Sequence, residues 1–435
     1  MENVKKEICA IIDEQSASVI DVVKDIGAHP ELGYKEFRTS DMVNDFLRSA
    51  GYNTERGLAI TGIKAKLKKE HKGPNIAFIA ELDGITCPES RRADTITGAT
   101  HHCGHHLQLG VLMAVAQAFQ LSGAASLLGG NASFIVSPAE EFIELEYRLE
   151  LRKQGKIRYF GGKQELVQCG AFDDIDAAMM VHSQSNTPHP FAGIVRTGNG
   201  LIAEMIRYIG KTAHAAAAPE EGINALHAAV LGINAINAMR ETFRDEDRNR
   251  VHYIITKGGD TVNSVPADVR LECFVRSCTV SSMKSLLEKT ERAFLSGGDA
   301  VGAETVIACL SGYLPLACNE DLNTLIAENA RQFIPENKVT TIDFFKASTD
   351  MGDITHLMPG IHPLVGGVNG ALHAANFEVV DYMTAVITPA KIIASTLIDL
   401  LSNDAQKLQA IINNFQPLLT KQAYFTLHNN YTRLY

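Results

Sequence analysis

The sequence predicts an α/β protein in which a domain built on a mostly parallel sheet, flanked by helices, is interrupted by an inserted α+β domain. The chain has 435 residues, more than one hydrophobic core usually supports. Helical periodicity alternates with strand-like runs up to about residue 190, whereas the stretch from about 193 to 313 has a different order of elements. We therefore expect residues 1–192 and 314–435 to form the first domain and residues 193–313 to form the inserted one.

Helical and strand-like segments alternate through the first part of the chain. Apolar residues recur with helical spacing over Glu7–Ile26 and Ser40–Ala50, and apolar runs occupy Asn75–Glu81 and Ala132–Ser137. Short apolar runs between helices are typical of buried strands in a sheet that helices cover on both faces. The alternation therefore predicts an α/β sandwich with a largely parallel sheet.

The stretch from about 193 to 313 reads as strand, helix, two strands, helix and strand, which is the order of a ferredoxin-like unit. The predicted elements are Leu201–Ile209, Gly222–Met239, His252–Thr256, Val269–Val275, Val280–Phe294 and Glu304–Leu310. Because the segments on both sides look like parts of one α/β domain, we interpret this unit as an insertion into that domain.

Composition and charge exclude several classes of protein. Hydrophobic residues make up 46% and charged residues 21% of the chain, as in ordinary globular proteins rather than disordered or fibrous ones. The formal net charge is -10. This charge argues against a nucleic-acid partner, because nucleic-acid binding draws most of its affinity from clustered Lys and Arg.

Targeting signals and membrane segments are not predicted. The N-terminal residues mix acids and bases and lack an apolar core beside a cleavage site. Apolar stretches such as Val111–Ala118 fall short of the ~20 residues that span a bilayer. The eight cysteines include no C-x-x-C pair, which suits a reducing cytosol. We therefore expect a cytoplasmic protein with no membrane partner.

The segment Thr100–His106, THHCGHH, concentrates residues that bind metal ions. Cys103 and His105 have i, i+2 spacing, so both can face one ion in an extended or tightly turned backbone, and Gly104 between them lets the backbone approach closely. A single His in an apolar context is usually structural. Four His and one Cys within six residues are hard to explain by packing, so we interpret this segment as a metal site.

Paired carboxylates follow a second strand-like run. The run ends at Ser137-Pro138 and is followed by Glu140 and Glu141. Adjacent side chains diverge, so one carboxylate bound to an ion and the other free to move a proton is the economical division of roles. An isolated Glu-Glu pair is more often a solvated turn, and the functional interpretation depends on the other motifs.

Two further histidines, His182 and His373, follow strand-like segments. Each alone is more often structural. Together with the residues above they give five ligands, a number that suits two ions about 3.5 to 4 Å apart, whereas one structural zinc ion needs only four.

The motifs of this chain resemble those of a known family, the metal-dependent amidohydrolases and dipeptidases. This family includes aminoacylases, hippurate hydrolase, auxin-conjugate hydrolases and aminobenzoyl-glutamate hydrolases. The resemblance covers nearly the whole chain in order. Its ASTDMGDITHLMPG segment looks most like the aminobenzoyl-glutamate hydrolase and basic-dipeptide dipeptidase branch. The matching segments are HPELGYKEF, AELDG, HHCGH, SPAEE, GGKQELVQCGAFDDIDAAMMVH, GKTAHAA, VNSVPADVRLECFVRS, ASTDMGDITHLMPG and LHAANF.

The resemblance implies a catalytic metal centre in the first domain. Cys103 would bridge two divalent ions, zinc or manganese, and Glu140 would be the general base. The remaining metal ligands would be His105, Glu141, His182 and His373. Asp83 is expected to orient His105 or a neighbouring ligand through a hydrogen bond.

The resemblance also implies a lid and dimerisation role for the inserted domain. His214 matches a histidine that in relatives crosses to the site of a neighbouring subunit and polarises the scissile carbonyl. Asn263 and Arg276 match positions that hold the substrate or its carboxylate. The implied substrate is a small amide or dipeptide, and the implied assembly is a homodimer or homotetramer.

Two departures from the family bear on substrate preference. His106 stands where relatives usually carry Asp or Asn, and CPESRRADTITGATH replaces the usual compact loop after AELDG.

Two alternative functions remain open from the sequence. A non-catalytic metal-binding descendant would keep the ligands but lose the base, although Glu140 and His214 are both present. A cysteine-nucleophile amidase would use Cys103 with His101 or His102.

Overall fold

A computed structural model describes residues 1–70 and 73–434. The strands, in chain order, are β1 Thr54–Leu58, β2 Gly62–Lys66, β3 Asn75–Glu81, β4 Ile85–Thr86, β5 Ala99–Thr100, β6 Asn131–Ser137, β7 Ala177–Met179, β8 His182–Ser185, β9 Ala192–Gly198, β10 Gly200–Ile209, β11 Arg250–Lys257, β12 Asp268–Ser277, β13 Glu304–Ser311, β14 Val339–Phe345, β15 Gly360–Ile361, β16 Leu364–Asn369, β17 Glu378–Val379 and β18 Arg433–Leu434.

The α-helices are α1 Glu2–Glu14, α2 Ser16–Ala28, α3 Phe37–Ser49, α4 His105–Ser122, α5 Leu145–Lys153, α6 Gly162–Gln168, α7 Ala225–Met239, α8 Val280–Asp299, α9 Glu320–Ala330, α10 Met351–Leu357, α11 Thr388–Leu401, α12 Gln406–Asn414 and α13 Lys421–Tyr431. The helical period predicted over Glu7–Ile26 is therefore two helices, which are separated at Gln15.

The chain divides into two compact units. The first comprises Met1–Arg196, Ala317–Phe345 and Asp353–Leu418, and the second comprises Thr197–Leu316, Lys346–Gly352 and the residues from Leu419 onwards. The predicted insertion is 193–313, and residues 314–435 are predicted to complete the first domain. The observed units differ from this prediction chiefly at the C-terminal end, where the chain belongs to the second unit.

The first unit is built on a mixed sheet with the strand order β1-β2-β6-β3-β7-β15. Its last four strands are parallel neighbours, and β1 and β2 add antiparallel pairs at one side. Every residue of β3 and β6 is buried, as expected for strands covered on both faces. A second sheet contains β14, β9, β16 and β17, with β8 paired to β16. The mostly parallel α/β architecture predicted from the sequence is confirmed.

Two long apolar helices lie in the core of the first unit. In α4, 14 of the 18 residues are buried, and most of α11 is buried as well. The stretch Met383–Leu401 is long and apolar enough to cross a membrane by composition alone, but 78% of its most apolar window is buried inside the protein. Such burial is typical of a core helix of a globular protein. The length of this apolar stretch was missed from the sequence.

The second unit has the predicted β-α-β-β-α-β order. Its sheet has the order β11-β12-β10-β13-β18, with antiparallel neighbours throughout. Helices α7 and α8 share one hydrophobic core with this sheet. The C-terminal strand β18 pairs with β13, and the guanidinium of Arg433 donates to both carboxylate oxygens of Glu291 at 2.8 and 2.9 Å. These contacts explain why the C-terminal residues join this unit.

The loop after β6 is held by a buried arginine. Arg148, in α5, has 1% of its surface exposed. Its guanidinium donates to the carbonyl oxygens of Phe160 at 2.7 Å and Ala139 at 3.3 Å, and also to that of Glu141. Charged donors on backbone carbonyls give hydrogen bonds stronger than neutral ones, so Arg148 fixes the conformation of the loop that carries Glu140 and Glu141.

Arg148→Met should lower the free energy of unfolding by roughly 3 kcal/mol, because three backbone carbonyl groups would lose a charged donor. The measurement is denaturant unfolding of the full chain followed by circular dichroism. Lys153→Met, an exposed change in the same helix, is the control and should change stability by less than about 0.5 kcal/mol. Equal stability of the two variants would contradict the anchoring role.

Candidate metal centre

Three parallel strands bring acidic and imidazole side chains to one edge of the first sheet. Glu81 is the last residue of β3, and Asp83 lies two residues later. Glu140 and Glu141 follow β6, and His182 follows β7. Because the carboxyl ends of parallel strands lie at the same edge, strands far apart in sequence deliver their side chains to one place.

Asp83 connects two of these segments. Its Oδ1 atom lies 3.1 Å from Nδ1 of His105, and its backbone carbonyl oxygen lies 2.9 Å from the same nitrogen. Its Oδ2 atom accepts a hydrogen bond of 2.8 Å from the backbone N–H of Glu141. Asp83 is fully buried. This is the contact that an orienting role for Asp83 requires, and that role remains a proposal.

The Cys103 thiol lies between two histidines. Its Sγ atom is 3.3 Å from Nε2 of His182 and 3.3 Å from Nε2 of His373. The next residue, Gly104, has φ +88, and a Cβ there would lie 2.6 Å from Oγ of Ser183. Only glycine fits this conformation and this space, so the sequence Cys-Gly-His places the thiol and the first residue of α4 beside each other.

Hydrogen bonds fix the tautomers of His105 and His182. Nδ1 of His105 faces two oxygens of Asp83, and Nδ1 of His182 lies 2.9 Å from the carbonyl oxygen of Ser183. A carbonyl oxygen only accepts, so Nδ1 carries the proton in both neutral rings. The lone pair on Nε2 of each ring is therefore directed toward the centre of the cluster.

The potential ligand atoms form two triads that share one sulfur. Cys103, His105 and His182 form the first, and Cys103, Glu141 and His373 form the second; within each triad the ligand atoms lie within 4.8 Å of one another. A third group, of Glu81, His105 and Glu140, meets the same criterion. The five ligands named from the sequence thus lie together, with Glu140 beside them.

Charges within the cluster shift each other's pKa values. Burial and a nearby carboxylate raise the pKa of the Cys103 thiol, but the His105 and His182 rings outweigh both and lower it to about 6. Burial lowers the pKa of His373, yet Glu141 and the thiol raise it to about 11. Burial raises the pKa of Glu141, and His373 lowers it to about 2. The thiolate and the carboxylate therefore predominate at neutral pH, as metal binding requires.

The donor set fits divalent metal ions. Nε2 of His105 is buried and has no hydrogen-bond partner of acceptable geometry among the described residues, although it lies 3.2 Å from Oε2 of Glu81. A buried polar atom without a partner is costly, and a metal ion would satisfy it. Thiolate, imidazole and carboxylate groups are the ligands that zinc prefers in proteins.

Only part of the THHCGHH segment faces this cluster. The rings of His101 and His106 lie near each other, with centroids 5.1 Å apart, and the ring of His102 lies against Phe377. Neither ring nitrogen of His101 has a hydrogen-bond partner in the described structure. No thiol contact supports His101 or His102 as the partner of a Cys103 nucleophile. Within this segment, only the two residues predicted as ligands, Cys103 and His105, lie in the ligand cluster.

The other residues predicted from the resemblance lie in the second unit. The exposed His214 accepts hydrogen bonds at Nδ1 from the backbone N–H groups of Ala216 and Ala217, at 3.2 and 3.1 Å. Asn263 is also exposed. Nε of Arg276 donates to Nε2 of His252 at 3.2 Å.

A buried ion pair beside the cluster was not predicted from the sequence. Glu81 and Lys163 both have fully buried side chains and form a salt bridge, and Gln108 donates to Glu81 at 2.8 Å. Burial raises the pKa of Glu81, but the charges of Lys163, His105 and His182 outweigh burial and hold that pKa well below its usual range. Glu81 lies in the AELDG motif and Lys163 in the GGKQEL motif, both of which are shared with the resembled family. The sequence alone does not show that Lys163 is buried, because its burial depends on its pairing with Glu81.

Comparison with known proteins finds relatives among peptidases and amidohydrolases. Residues 198–298 match the M20 model of a peptidase dimerisation domain. The chain is 28% identical to the Xaa-Arg dipeptidase of Mus musculus over 384 residues, which cover 83% of this chain and 80% of the relative. It is 26% identical to a p-aminobenzoyl-glutamate hydrolase subunit of Escherichia coli over 400 residues, which cover 86% of this chain and 75% of the relative.

A solved structure shows the same fold at low sequence identity. A Bacillus subtilis protein described as a dinuclear metal binding peptidase of the M20 family superposes with a TM-score of 0.64 at 18% identity, over 88% of this chain and 98% of its own. The resemblance drawn from the sequence motifs is thus confirmed: the chain carries an M20-type dimerisation domain, has dipeptidases and amidohydrolases among its homologues, and is an enzyme of the metallo-amidohydrolase or metallopeptidase class.

Proposed function

We propose that this chain hydrolyses the amide bond of a small N-acyl amino acid or dipeptide, with two divalent ions and with Glu140 as the general base. The observation that carries the proposal is the pair of ligand triads that share the Cys103 sulfur. Relatives named as an Xaa-Arg dipeptidase, a p-aminobenzoyl-glutamate hydrolase and an N-acyl-L-amino acid amidohydrolase support this class of reaction.

The residues that would hold the two ions are Cys103 with His105 and His182, and Cys103 with Glu141 and His373. When bound, two such ions supply Lewis acidity that activates water and polarises a carbonyl group. Cys and His ligands favour zinc, and the carboxylates also permit manganese.

Glu140 would move the proton. Its Oε2 atom lies 3.8 Å from Nε2 of His105, so the carboxylate borders the ligand cluster without belonging to either thiolate triad. In this position it would take a proton from the attacking water and return one to the leaving amine. Glu141 has the complementary position, with Oε1 3.0 Å from Nε2 of His373.

His214 would stabilise the oxyanion that forms on the amide carbon. Because Nδ1 accepts two backbone N–H groups, the proton of the neutral ring lies on Nε2. An exposed Nε2–H group is a suitable donor for a developing oxyanion, and such donors typically contribute about 3 kcal/mol to lowering the barrier. From the resemblance, this ring would act in the site of a neighbouring subunit.

The second unit has a surface that fits a second copy of the chain. Strand β11 lies at the edge of its sheet, and Ile254 and Ile255 on it are 61% and 42% exposed. On helix α7, Val230 and Leu231 are also exposed. Edge strands with exposed apolar side chains tend to pair with another chain, and a symmetric pair would cover both edges. A homodimer, or a tetramer made from it, is therefore the assembly that we propose.

Two other functions make different predictions about metal removal. A cysteine-nucleophile amidase would keep its activity after dialysis against a chelator, whereas a metal-dependent hydrolase would lose activity and regain it with zinc or manganese. A non-catalytic descendant would bind the metal ions and hydrolyse no member of a panel of N-acyl amino acids, aminobenzoyl-glutamate and dipeptides ending in Lys, Arg or Glu.

Glu140→Gln should leave the metal content near that of the wild type and lower kcat by at least ~100-fold, because a general acid-base group contributes at least that much. Metal content is measured by atomic emission and kcat with the best substrate of the panel. Glu141→Gln is the matched comparison and should lose bound metal. Loss of metal from Glu140→Gln, with retention in Glu141→Gln, would show that the two roles are reversed.

Heterodimers of two inactive variants should recover activity. If His214 acts in the partner's site, a mixed dimer of Glu140→Gln and His214→Ala chains holds one site with both groups intact. Mixing should therefore restore activity up to about half the wild-type value per mixed dimer, since one of its two sites is complete. Subunit exchange is verified by mass spectrometry. Proven exchange without recovery would rule out the shared site.

Arg276→Lys should raise KM for substrates with a free carboxylate on the amine side and leave the matching carboxamides little changed. The reason is that a guanidinium binds a carboxylate with two parallel hydrogen bonds, which an ammonium cannot reproduce. Arg270→Lys is the control. It makes the same exchange on the same face of the sheet as Arg276→Lys, because positions an even number apart on β12 face the same side. Equal losses on acids and amides, or a loss of stability alone, would contradict the assignment.

A further inference from the structure

A cavity of about 470 Å³ lies within the first unit, beside the metal centre's loop. It is lined by the end of α2, by the loop around Arg91 and Arg92, and by residues of the segment from Phe377 to Tyr382. Three histidines, His101, His102 and His106, complete the lining. Its volume is that of a pocket for a small organic molecule. Both departures from the resembled family, the loop after AELDG and His106, contribute to its walls.

The charge of this cavity is positive. Lys24, Arg91 and Arg92 line it, and the described lining residues include no carboxylate. A counter-charge comes from Glu378, whose Oε1 atom lies 3.9 Å from the guanidinium of Arg92, with both side chains more than half exposed. An exposed pair at this distance neutralises little of the cation's field, so three cations remain available to a bound anion.

Buried histidines in the wall have ring nitrogens without partners. Both ring nitrogens of His101 and Nδ1 of His106 make no hydrogen bond to any described residue, and each side chain has only 4% of its surface exposed. Buried polar atoms in native proteins are almost always paired with protein, water or ligand. A neutral imidazole has one N–H donor, so these rings leave unpaired polar atoms in the wall of the cavity.

The remaining walls are flat and apolar. The ring of Phe377 lies 5.4 Å from that of His102, and Nζ of Lys24 lies 5.3 Å from the centre of the Tyr382 ring. Aromatic faces of this kind pack against a planar group. An inorganic anion would use the cations alone and leave these walls without contact.

We infer that this cavity is a binding site for a small aromatic carboxylate, separate from the metal centre. The carboxylate would be held by Lys24, Arg91 and Arg92, and the ring would pack among Phe377, Tyr382 and the wall histidines. The site goes beyond the proposed hydrolytic function, since its cations take no part in that mechanism. The two sites share one backbone segment, in which Cys103 and His105 face the metal ligands while His101, His102 and His106 line the cavity.

Calorimetric titration of the zinc-loaded full chain with benzoate tests the site directly. Intrinsic tryptophan fluorescence cannot report the binding, because the chain contains no Trp. We expect saturable binding that Lys24→Gln, Arg91→Gln and Arg92→Gln each weaken by about tenfold, the effect of losing one charge-assisted hydrogen bond. His373→Ala, a change in the metal centre, and Lys407→Gln, a distant surface change, should each alter Kd by less than about twofold. Circular dichroism verifies that every variant is folded.

The other outcomes would overturn the assignment. If His373→Ala abolishes benzoate binding and the arginine variants retain it, the carboxylate binds to the metal ions. Equal binding of benzamide would show that charge plays no part. If inorganic phosphate binds and the arginine variants weaken its binding, while benzoate does not bind, the cavity is a site for simple anions. Absence of any saturable binding would show that the cavity takes no carboxylate.

Discussion

The concentration of buried negative charge around His105 is the constraint on which the rest of the structure depends. Glu81, Asp83, Glu140, Glu141 and the Cys103 thiolate all lie buried at one sheet edge. Burying charge is costly unless an opposite charge compensates it. Lys163 supplies one positive charge at this edge, and two divalent ions would supply four more. Burial and Asp83 raise the pKa of the neighbouring Glu36 to about 8, which disfavours a further negative charge beside the cluster.

The fold meets this constraint with few residues because each makes more than one contact. Asp83 holds the His105 ring through one carboxylate oxygen and the backbone of Glu141 through the other. One carboxylate therefore sets the position of a ligand in each thiolate triad, and the Arg148 guanidinium fixes the same loop from its other side. Removing Asp83 would disturb both proposed metal positions at once, whereas removing a single proposed ligand other than Cys103 would disturb one.

The sequence predicts the elements whose signal is local, and it misses what depends on tertiary contacts. Strands β3 and β6 and the order of the inserted unit follow from runs of apolar residues. The five proposed ligands follow from residue chemistry and motif order. The Glu81–Lys163 pair joins positions 82 apart in the chain, and neither residue alone indicates burial. The joining of β18 to β13 has the same cause, because a two-residue strand has no periodicity and its pairing partner alone defines it.

The division of the THHCGHH segment between two environments follows from its backbone. Gly104 adopts φ +88, and this left-handed turn directs Cys103 and His105 to the same cluster, while α4 begins at His105 and carries His106 away from it. A side chain other than glycine at this position would collide with Ser183 and alter both faces of the segment. The backbone of this segment is therefore shared, but its side chains are not: Cys103 and His105 belong to the candidate metal centre, whereas His101, His102 and His106 line the basic cavity.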